Sequence, residues 1–410
     1  MKLNKTETIN KQEYYLPHHA VIKEDSITTK CRAVFDASSK SSTGISLNDV
    51  MHSGPRLQQD LTNILIHWRS YKIAYTADLE KMFSQIKIAE EDQVYQKILW
   101  RQSVKEQIKE YQLSTVTYGT KAAPYLALRT IHELCNDEKL KYPLAAEIVK
   151  HNMYIDDVLA GSETLAEAQQ AQTELTEMFK KGGFVLRKWL SNSQDLMEII
   201  PEYLKSVDLK TLDTEEIHKT LGIHWLPVED RLVLSEIAKI YDPLGWIAPV
   251  IMQSKIFIQD LWTKRISWDK ELDNSDQKRW IEYYSQLKHL EEIVIPRWNN
   301  LTNLGKIELY GFADASTKGY GAAIYTRTLC PEVKTSLIVA KTKVAPVKGL
   351  TTLPRLELCA ALLLSRLMKR TIQALNRSDV EIYAWSDSTI TLAWIQGQPN
   401  RWKTFVANRS

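Results

Sequence analysis

Three aspartates set among apolar residues constrain this sequence more than any other feature. Residues 71–77 read as a compact strand that runs directly into Asp78. A carboxylate that closes a buried strand is costly unless something compensates its charge. A second acidic pair, Asp156 and Asp157, follows Tyr154 and Ile155 within residues 151–161, whose alternation predicts a tight hairpin. Paired acids flanked by apolar strand residues suit hard divalent cations, which take oxygen ligands. Two such ions about 3.5–4 Å apart can hold both the attacking and the leaving oxygen of a phosphoryl transfer. That chemistry gathers charge on phosphorus oxygens and needs no side-chain nucleophile. A turn with two solvated aspartates is the simpler alternative, and spacing alone does not separate the two.

Around these acids the pattern is that of an α+β chain. Residues 14–22 and 31–35 predict strands around the polar loop 23–30, and 38–46 is a Ser/Gly-rich connection. Residues 57–68 have helical spacing, a short helix is expected after Asp78, and 112–117 reads as a strand. In 122–135, Ala123, Leu126, Ala127, Ile131 and Leu134 share one helical face. Thr164 with Glu167 makes a capping box, and Gly182 with Gly183 supplies the stop, bracketing another helix. Residues 237–298 are tryptophan-rich and helical in pattern, broken at Pro243, Pro249 and Pro296. The polar stretch 297–305 is the expected domain boundary.

The last hundred residues change style. Residues 306–328 alternate like two paired strands turning near 318–319, and 335–341 is a third strand. An amphipathic helix over 356–375, a strand over 381–385 and a helix over 389–396 follow, an α/β order that mixes both kinds of strand pairing. This region carries a second acidic set. Asp314 ends the first strand, Glu357 lies in the first turn of an apolar helix, and Asp387 follows the last strand. Acids from two strand ends and a helix can converge on two metal ions for hydrolysis, with water as nucleophile. Asp387 could instead cap the next helix, and Asp314 could be a turn residue; Glu357 is the hardest to explain as structure alone.

Composition excludes several classes. The net charge is +3, so any phosphate-binding surface must be local, as in the cluster Lys180, Lys181, Arg187 and Lys188, which also reads as a solvated helix end. Cys31, Cys135, Cys330 and Cys359 are scattered, which argues against a disulfide scaffold or a structural zinc site and fits a reducing compartment. Met1 is followed by a polar segment without an apolar core, and no apolar stretch approaches the ~20 residues a membrane span needs. A soluble, intracellular protein is expected, cytoplasmic or within the nucleus or a particle. Oligomeric state is not legible.

The motif Tyr154-Ile155-Asp156-Asp157, preceded by Thr76-Ala77-Asp78-Leu79-Glu80-Lys81-Met82-Phe83-Ser84-Gln85-Ile86, resembles the palm of reverse transcriptases, and the variant is similar to BEL/Pao retrotransposons. Other segments follow in the family's order. Residues 14–22 and 30–38 resemble the fingers, 119–124 the template-binding motif, 183–188 the next palm motif and 221–225 the primer grip. Leu353-Pro354-Arg355-Leu356-Glu357-Leu358-Cys359-Ala360-Ala361-Leu362 resembles the same elements' ribonuclease H region.

The resemblance implies a right-hand polymerase with fingers, palm and thumb, a helical connection, and a ribonuclease H-like α/β domain. The expected spans are 10–226 for fingers and palm, 227–300 for thumb and connection, and 305–410 for the ribonuclease H-like domain. It makes Asp78 and Asp156 metal ligands with Asp157 beside them, and Asp314, Glu357 and Asp387 the ligands of a second site. The ions would be Mg2+ or Mn2+, two per site. Arg32, Lys23 and Lys188 would meet the triphosphate, Phe83 would exclude a ribose 2′-hydroxyl, and Gly119 would let template or incoming base approach the backbone. The implied partners are a primed RNA or DNA template, deoxynucleoside triphosphates and an RNA–DNA hybrid.

A fourth carboxylate normally follows on a later helix, beyond a segment like 402–409, and does not occur in the sequence. The ribonuclease H-like domain is therefore expected to be cut short. The connecting region is of the kind sometimes labelled a Pao-type peptidase, but no Asp-Thr-Gly or Asp-Ser-Gly occurs to support proteolysis. The competing reading is a domesticated or decayed retroelement fragment that binds nucleic acid without catalysis.

Overall fold

The computed structural model describes residues 2–3, 13–22, 31–206, 218–220, 223–233, 242–267, 269–301, 306–329, 333–347, 352–377 and 379–409. Lys23, Leu221, Gly222 and Cys330 lie outside the described residues. The chain divides into two compact units: residues 1–59, 77–158 and 169–189, and residues 60–76, 159–168 and 190–410. Among the described residues, no helix is long and apolar enough to cross a membrane.

In the first unit, strands His18–Ile22 and Cys31–Phe35 form an antiparallel pair, as their sequence predicts. A small core of Leu16, Ala37, Leu47, Ile98 and Leu113 lies beside them. The strand expected at 112–117 forms earlier, as Lys109–Gln112 against Lys97–Trp100, while Thr115 makes an isolated bridge to Lys87. Lys97 explains the shift in part. Its side chain is buried and paired with Glu13 and Glu110 at 2.7 and 2.9 Å, so Glu110 is needed inside the ladder. Helix Ala123–Glu138 buries Ala123, Ala127 and Ile131 of the expected face, but Leu128 and Cys135 are buried where Leu126 is exposed and Leu134 half-buried, so the buried stripe is rotated from the one expected. A second helix, Pro143–Asn152, was not anticipated; proline at its first position is compatible with helix initiation.

Strands Met153–Tyr154, Asp157–Ser162, Ile73–Leu79 and Leu186–Ser191 make a four-stranded sheet in that order. Ile73–Leu79 is buried along most of its length, with Asp78, its penultimate residue, only half-buried. Helix Leu165–Lys181 begins with the expected capping box: Glu167 N–H donates to Thr164 Oγ1, and Thr164 N–H to Glu167 Oε2. Gly183, at φ 78°, closes it in the left-handed conformation that glycine adopts without steric cost.

In the second unit, the tryptophan-rich region contains helices Ala248–Thr263 and Asn274–Gln286. They are bracketed by a small antiparallel sheet that includes Ile223–Leu226, Arg231–Val233 and Val294–Pro296. At the start of the polar stretch read as a domain boundary, Arg297 is 0% exposed and Asn299 1%; residues 302–305 lie outside the described residues. Arg297 donates to both carboxylate oxygens of Asp230 and to the carbonyls of Trp68, Tyr71 and Lys72. The Arg297 guanidinium thus serves internal partners rather than solvent.

The C-terminal sheet follows the predicted order with longer strands. Ile307–Ser316 pairs antiparallel with Gly319–Thr328, which pairs antiparallel with Lys334–Val344, and Val380–Trp385 joins parallel to Ile307–Ser316. Helix Leu353–Leu375 covers the sheet with an apolar stripe including Leu356, Ala360, Leu363, Leu364 and Leu367. Gly311 permits the close contact, since a Cβ there would come within 2.7 Å of Leu364 and 2.8 Å of Met368.

Candidate active site

The aspartates at 78, 156 and 157 are carried by neighbouring strands of the four-stranded sheet. Met153 pairs with Val158 and Tyr154 with Asp157, so Ile155 and Asp156 are the two loop residues of the hairpin. Ile155 sits at φ 55°, a costly conformation for a β-branched residue and one that hairpins usually give to glycine or asparagine. The turn is docked onto the central strand by Leu79 N–H donating to the Asp156 carbonyl at 2.8 Å. On the other side Glu80 N–H donates to Val185 O, and Asn192 N–H to Ala74 O.

The electrostatics follow from this crowding. Burial, then Asp156, then Asp78 push the Asp157 carboxyl up to about 7, with Lys188 opposing. Burial and Asp78 also raise Asp156. Lys188, at φ 53°, places its Nζ 2.8 Å from Asp78 Oδ2. Arg187 forks onto Glu80 through Nε at 3.0 Å and Nη1 at 3.2 Å. The donor set is therefore three carboxylates with one ammonium against them, and their mutual repulsion is relieved by added positive charge. This fits hard divalent cations. Among the described residues, no three His, Cys, Asp or Glu side chains are placed as a metal-holding group, and Lys188 is the positive partner of Asp78.

Between about pH 4 and pH 7 the folded chain keeps a proton on Asp157 that the unfolded chain has lost, so the fold weakens as pH rises through that window. Asp157→Asn removes the titration. Without divalent ions, the variant should resist urea better than the parent at about pH 8, by on the order of 2 kcal/mol after allowance for solvent screening. At about pH 4 the two should unfold together. A gain of equal size at both pH values would remove the electrostatic origin.

The remaining polymerase-side residues are placed as follows. Arg32 is exposed on strand Cys31–Phe35, where its charge acts on Tyr118. Phe83 is half-buried on the short helix Met82–Gln85. Gly119 has φ 93°, and a Cβ there would come within 2.4 Å of the Phe35 carbonyl. Close approach by the chain's own backbone is therefore enough to require this glycine. Lys188 contacts an acid of the site rather than standing free.

The second acidic set is brought together by strand register. Phe312 pairs with Trp385 in the parallel ladder, so Asp314 and Asp387 both lie two residues past that pair, at the same end of adjacent strands. Both are exposed. Glu357, from the helix, accepts a hydrogen bond from Ser388 Oγ, next to Asp387. Ser388 caps helix Thr389–Gln396, taking Thr391 N–H, so the capping role considered for Asp387 falls to its neighbour.

Sequence reasoning missed Gln58, whose side chain bonds the backbone of the acidic turn, and the buried pair Arg69 and Arg297. A glutamine in a polar loop gives no signal of its role.

Residues 26–188 match the family model described as reverse transcriptase (RNA-dependent DNA polymerase). Residues 229–388 match the model described as Pao retrotransposon-like RNaseH-like domain, so that description spans both the helical connection and the C-terminal sheet and names no peptidase. No curated protein sequence matches the chain. Among solved structures, the chain is similar to a foamy viral protease-reverse transcriptase dRH in complex with double-stranded DNA. The identity is 17% and the TM-score 0.58, over 98% of this chain and 64% of that one. It is also similar to a foamy viral protease-reverse transcriptase in complex with RNA/DNA hybrid, at 16% identity and TM-score 0.56, over 97% of this chain and 49% of that one. The chain thus spans less than two thirds of these relatives. At such identities the likeness shows the fold: mixed α and β, a reverse-transcriptase architecture with an RNase H-like C-terminal domain.

Proposed function

We propose, for a chain that carries a reverse-transcriptase region followed by a Pao retrotransposon-like RNaseH-like region, that it copies primed RNA or DNA templates into DNA. The observation that carries this reading is the docking of the Asp156-Asp157 turn onto the strand that bears Asp78, held by the Leu79 to Asp156 hydrogen bond.

Asp78 and Asp156 would hold divalent cations, Mg2+ or Mn2+, with Asp157 beside them. When bound, such ions stabilise the charge that develops on the attacking and leaving oxygens. The chain's own groups do the rest. The paired Asp156 and Asp157 set the negative field that attracts the ions. Lys188 compensates Asp78 and would offer its ammonium to an incoming triphosphate. Arg32, on the exposed edge of strand Cys31–Phe35, meets phosphate charge, and Phe83 crowds the sugar. The likeness to structures that hold double-stranded DNA and RNA/DNA hybrid supports these partners. The test is primer extension by the purified chain with Mg2+ and deoxynucleoside triphosphates on both template types. Absence of extension in the presence of tight primer–template binding would favour the non-catalytic alternative.

The shared strand end of Asp314 and Asp387, with Glu357 tied to Ser388, supports a second reading for the C-terminal region: cleavage of RNA in an RNA–DNA hybrid. Hybrid cleavage that survives Asp387→Asn undiminished would exclude these acids as its source; the expected result is loss of cleavage with extension retained.

A further inference from the structure

The turn that carries Asp156 and Asp157 is under strain, and what restrains it comes from a distant part of the sequence. Ile155 is held at φ 55° in a two-residue hairpin loop. Such a conformation is costly for a non-glycine residue and persists where surrounding contacts over-determine it. Besides the Leu79 N–H to Asp156 O bond, the contacts at Ile155 itself come from one side chain. Ile155 N–H donates to Gln58 Oε1 at 2.9 Å, and Gln58 Nε2 donates to Met153 O at 3.2 Å. The amide thus spans the turn, taking one donor and one acceptor from residues on either side of Tyr154. Asparagine would be too short to reach from the same backbone, and glutamate would lack the donor.

The segment that carries Gln58 is itself anchored. Gly54, at φ 71°, lies so close to the Tyr125 ring that a Cβ would come within 2.3 Å of it. Two residues after Gln58, Asp60 caps helix Leu61–Trp68 by accepting from Thr62 N–H. Gln58 is therefore presented from a backbone anchored on both sides of it, so less backbone freedom remains to be lost on bonding the turn.

We infer that Gln58 is a positioning residue for the acidic turn, holding Ile155 in its left-handed conformation so that Asp156 and Asp157 keep their orientation toward Asp78. This rests on the polymerase reading for its catalytic consequence, but the restraint itself can be measured without it.

The test compares the full chain with Gln58→Leu, which removes both bonds at similar size, and Gln58→Glu, which keeps an acceptor for Ile155 N–H. The first readout is amide hydrogen exchange at Ile155 in isoleucine-labelled protein; the second is steady-state primer extension. Gln58→Leu should speed exchange at Ile155 and lower kcat, each by about tenfold. The KM for deoxynucleoside triphosphate and the affinity for primer–template should stay within about twofold, since neither ligand touches Gln58 in this account. Gln58→Glu should restore much of the Ile155 protection. Unchanged exchange at Ile155 in Gln58→Leu overturns the inference. So does a variant whose template affinity and unfolding midpoint fall while kcat holds, because that is a general structural defect. A parent that does not extend primers would sink the polymerase reading, and the exchange measurement would still decide the restraint.

Discussion

Asp156→Asn should reduce primer extension by on the order of a thousandfold while leaving primer–template affinity within about twofold of the parent. The substitution keeps the size of the side chain and the backbone carbonyl that receives Leu79 N–H, so the hairpin remains docked on its strand. What it removes is one negative charge from a site where burial and Asp78 already disfavour that charge. In a chain without a catalytic role for this acid, losing a disfavoured charge is neutral or stabilising. In a chain that uses the charge to hold divalent cations, the same change is severe. The sign of the two effects differs, which makes the comparison decisive. Denaturant midpoints at or above the parent's, together with lost extension, would locate the defect in chemistry. Equal extension by both proteins would remove Asp156 from the mechanism and leave the chain as a nucleic-acid binder at most.

How much of this was legible in the sequence depends on the range of the interaction. Alternation over residues 306–328 and the break near 318–319 report local backbone preference, and Ile307–Ser316 and Gly319–Thr328 formed where that preference put them. The capping box at Thr164 and Glu167 is equally local. The acids themselves stood out because charged residues beside apolar strands conflict with burial. The parallel register that aligns Asp314 with Asp387 was not legible, because it joins strands separated by a long helix. Gln58 was silent for the same reason: its partner amide lies 97 residues away. The burial of Arg297 was not legible either, because nothing local in the polar stretch 297–305 marks it. Arg297 is polar, but its partners are carbonyls more than two hundred residues upstream, and those remove it from water. Pro143–Asn152 was obscured because the hairpin was begun at His151, inside the helix.

Those partners make Arg297 the position where a single substitution should cost the second unit most stability. Its guanidinium forks onto Asp230, at 2.7 Å through Nη2, and serves the carbonyls of Trp68, Tyr71 and Lys72 at 2.9–3.2 Å. Arg69 stands beside it, also buried, and has four carbonyls for partners: Pro296, Arg297, Leu337 and Ile338. Burial, then the adjacent Arg297, disfavours the charge on Arg69, and Trp246 stacks against it at 4.8 Å. Arg297→Met fills similar volume but, among the described residues, leaves Asp230 with the Trp225 indole as its side-chain donor and takes the guanidinium from the carbonyls of Trp68 and Tyr71, while Lys72 O keeps the Asn192 amide. Removing one partner of a buried ion pair costs about 3–5 kcal/mol. Arg297→Lys should recover little, because one ammonium cannot reproduce a planar fork that serves a carboxylate and three carbonyls. Adding Asp230→Asn to Arg297→Met should return part of the loss, since asparagine tolerates the φ of 52° at that position and carries no charge to strand. Urea unfolding of the three variants reads the result; a loss under about 1 kcal/mol for Arg297→Met would mean that water replaces the missing donors and that the hub is not sealed. Because Tyr71 and Lys72 immediately precede the strand that bears Asp78, loss of the Arg297 bonds to their carbonyls should also loosen the start of that strand. Extension activity should then fall at temperatures where the parent is still fully folded.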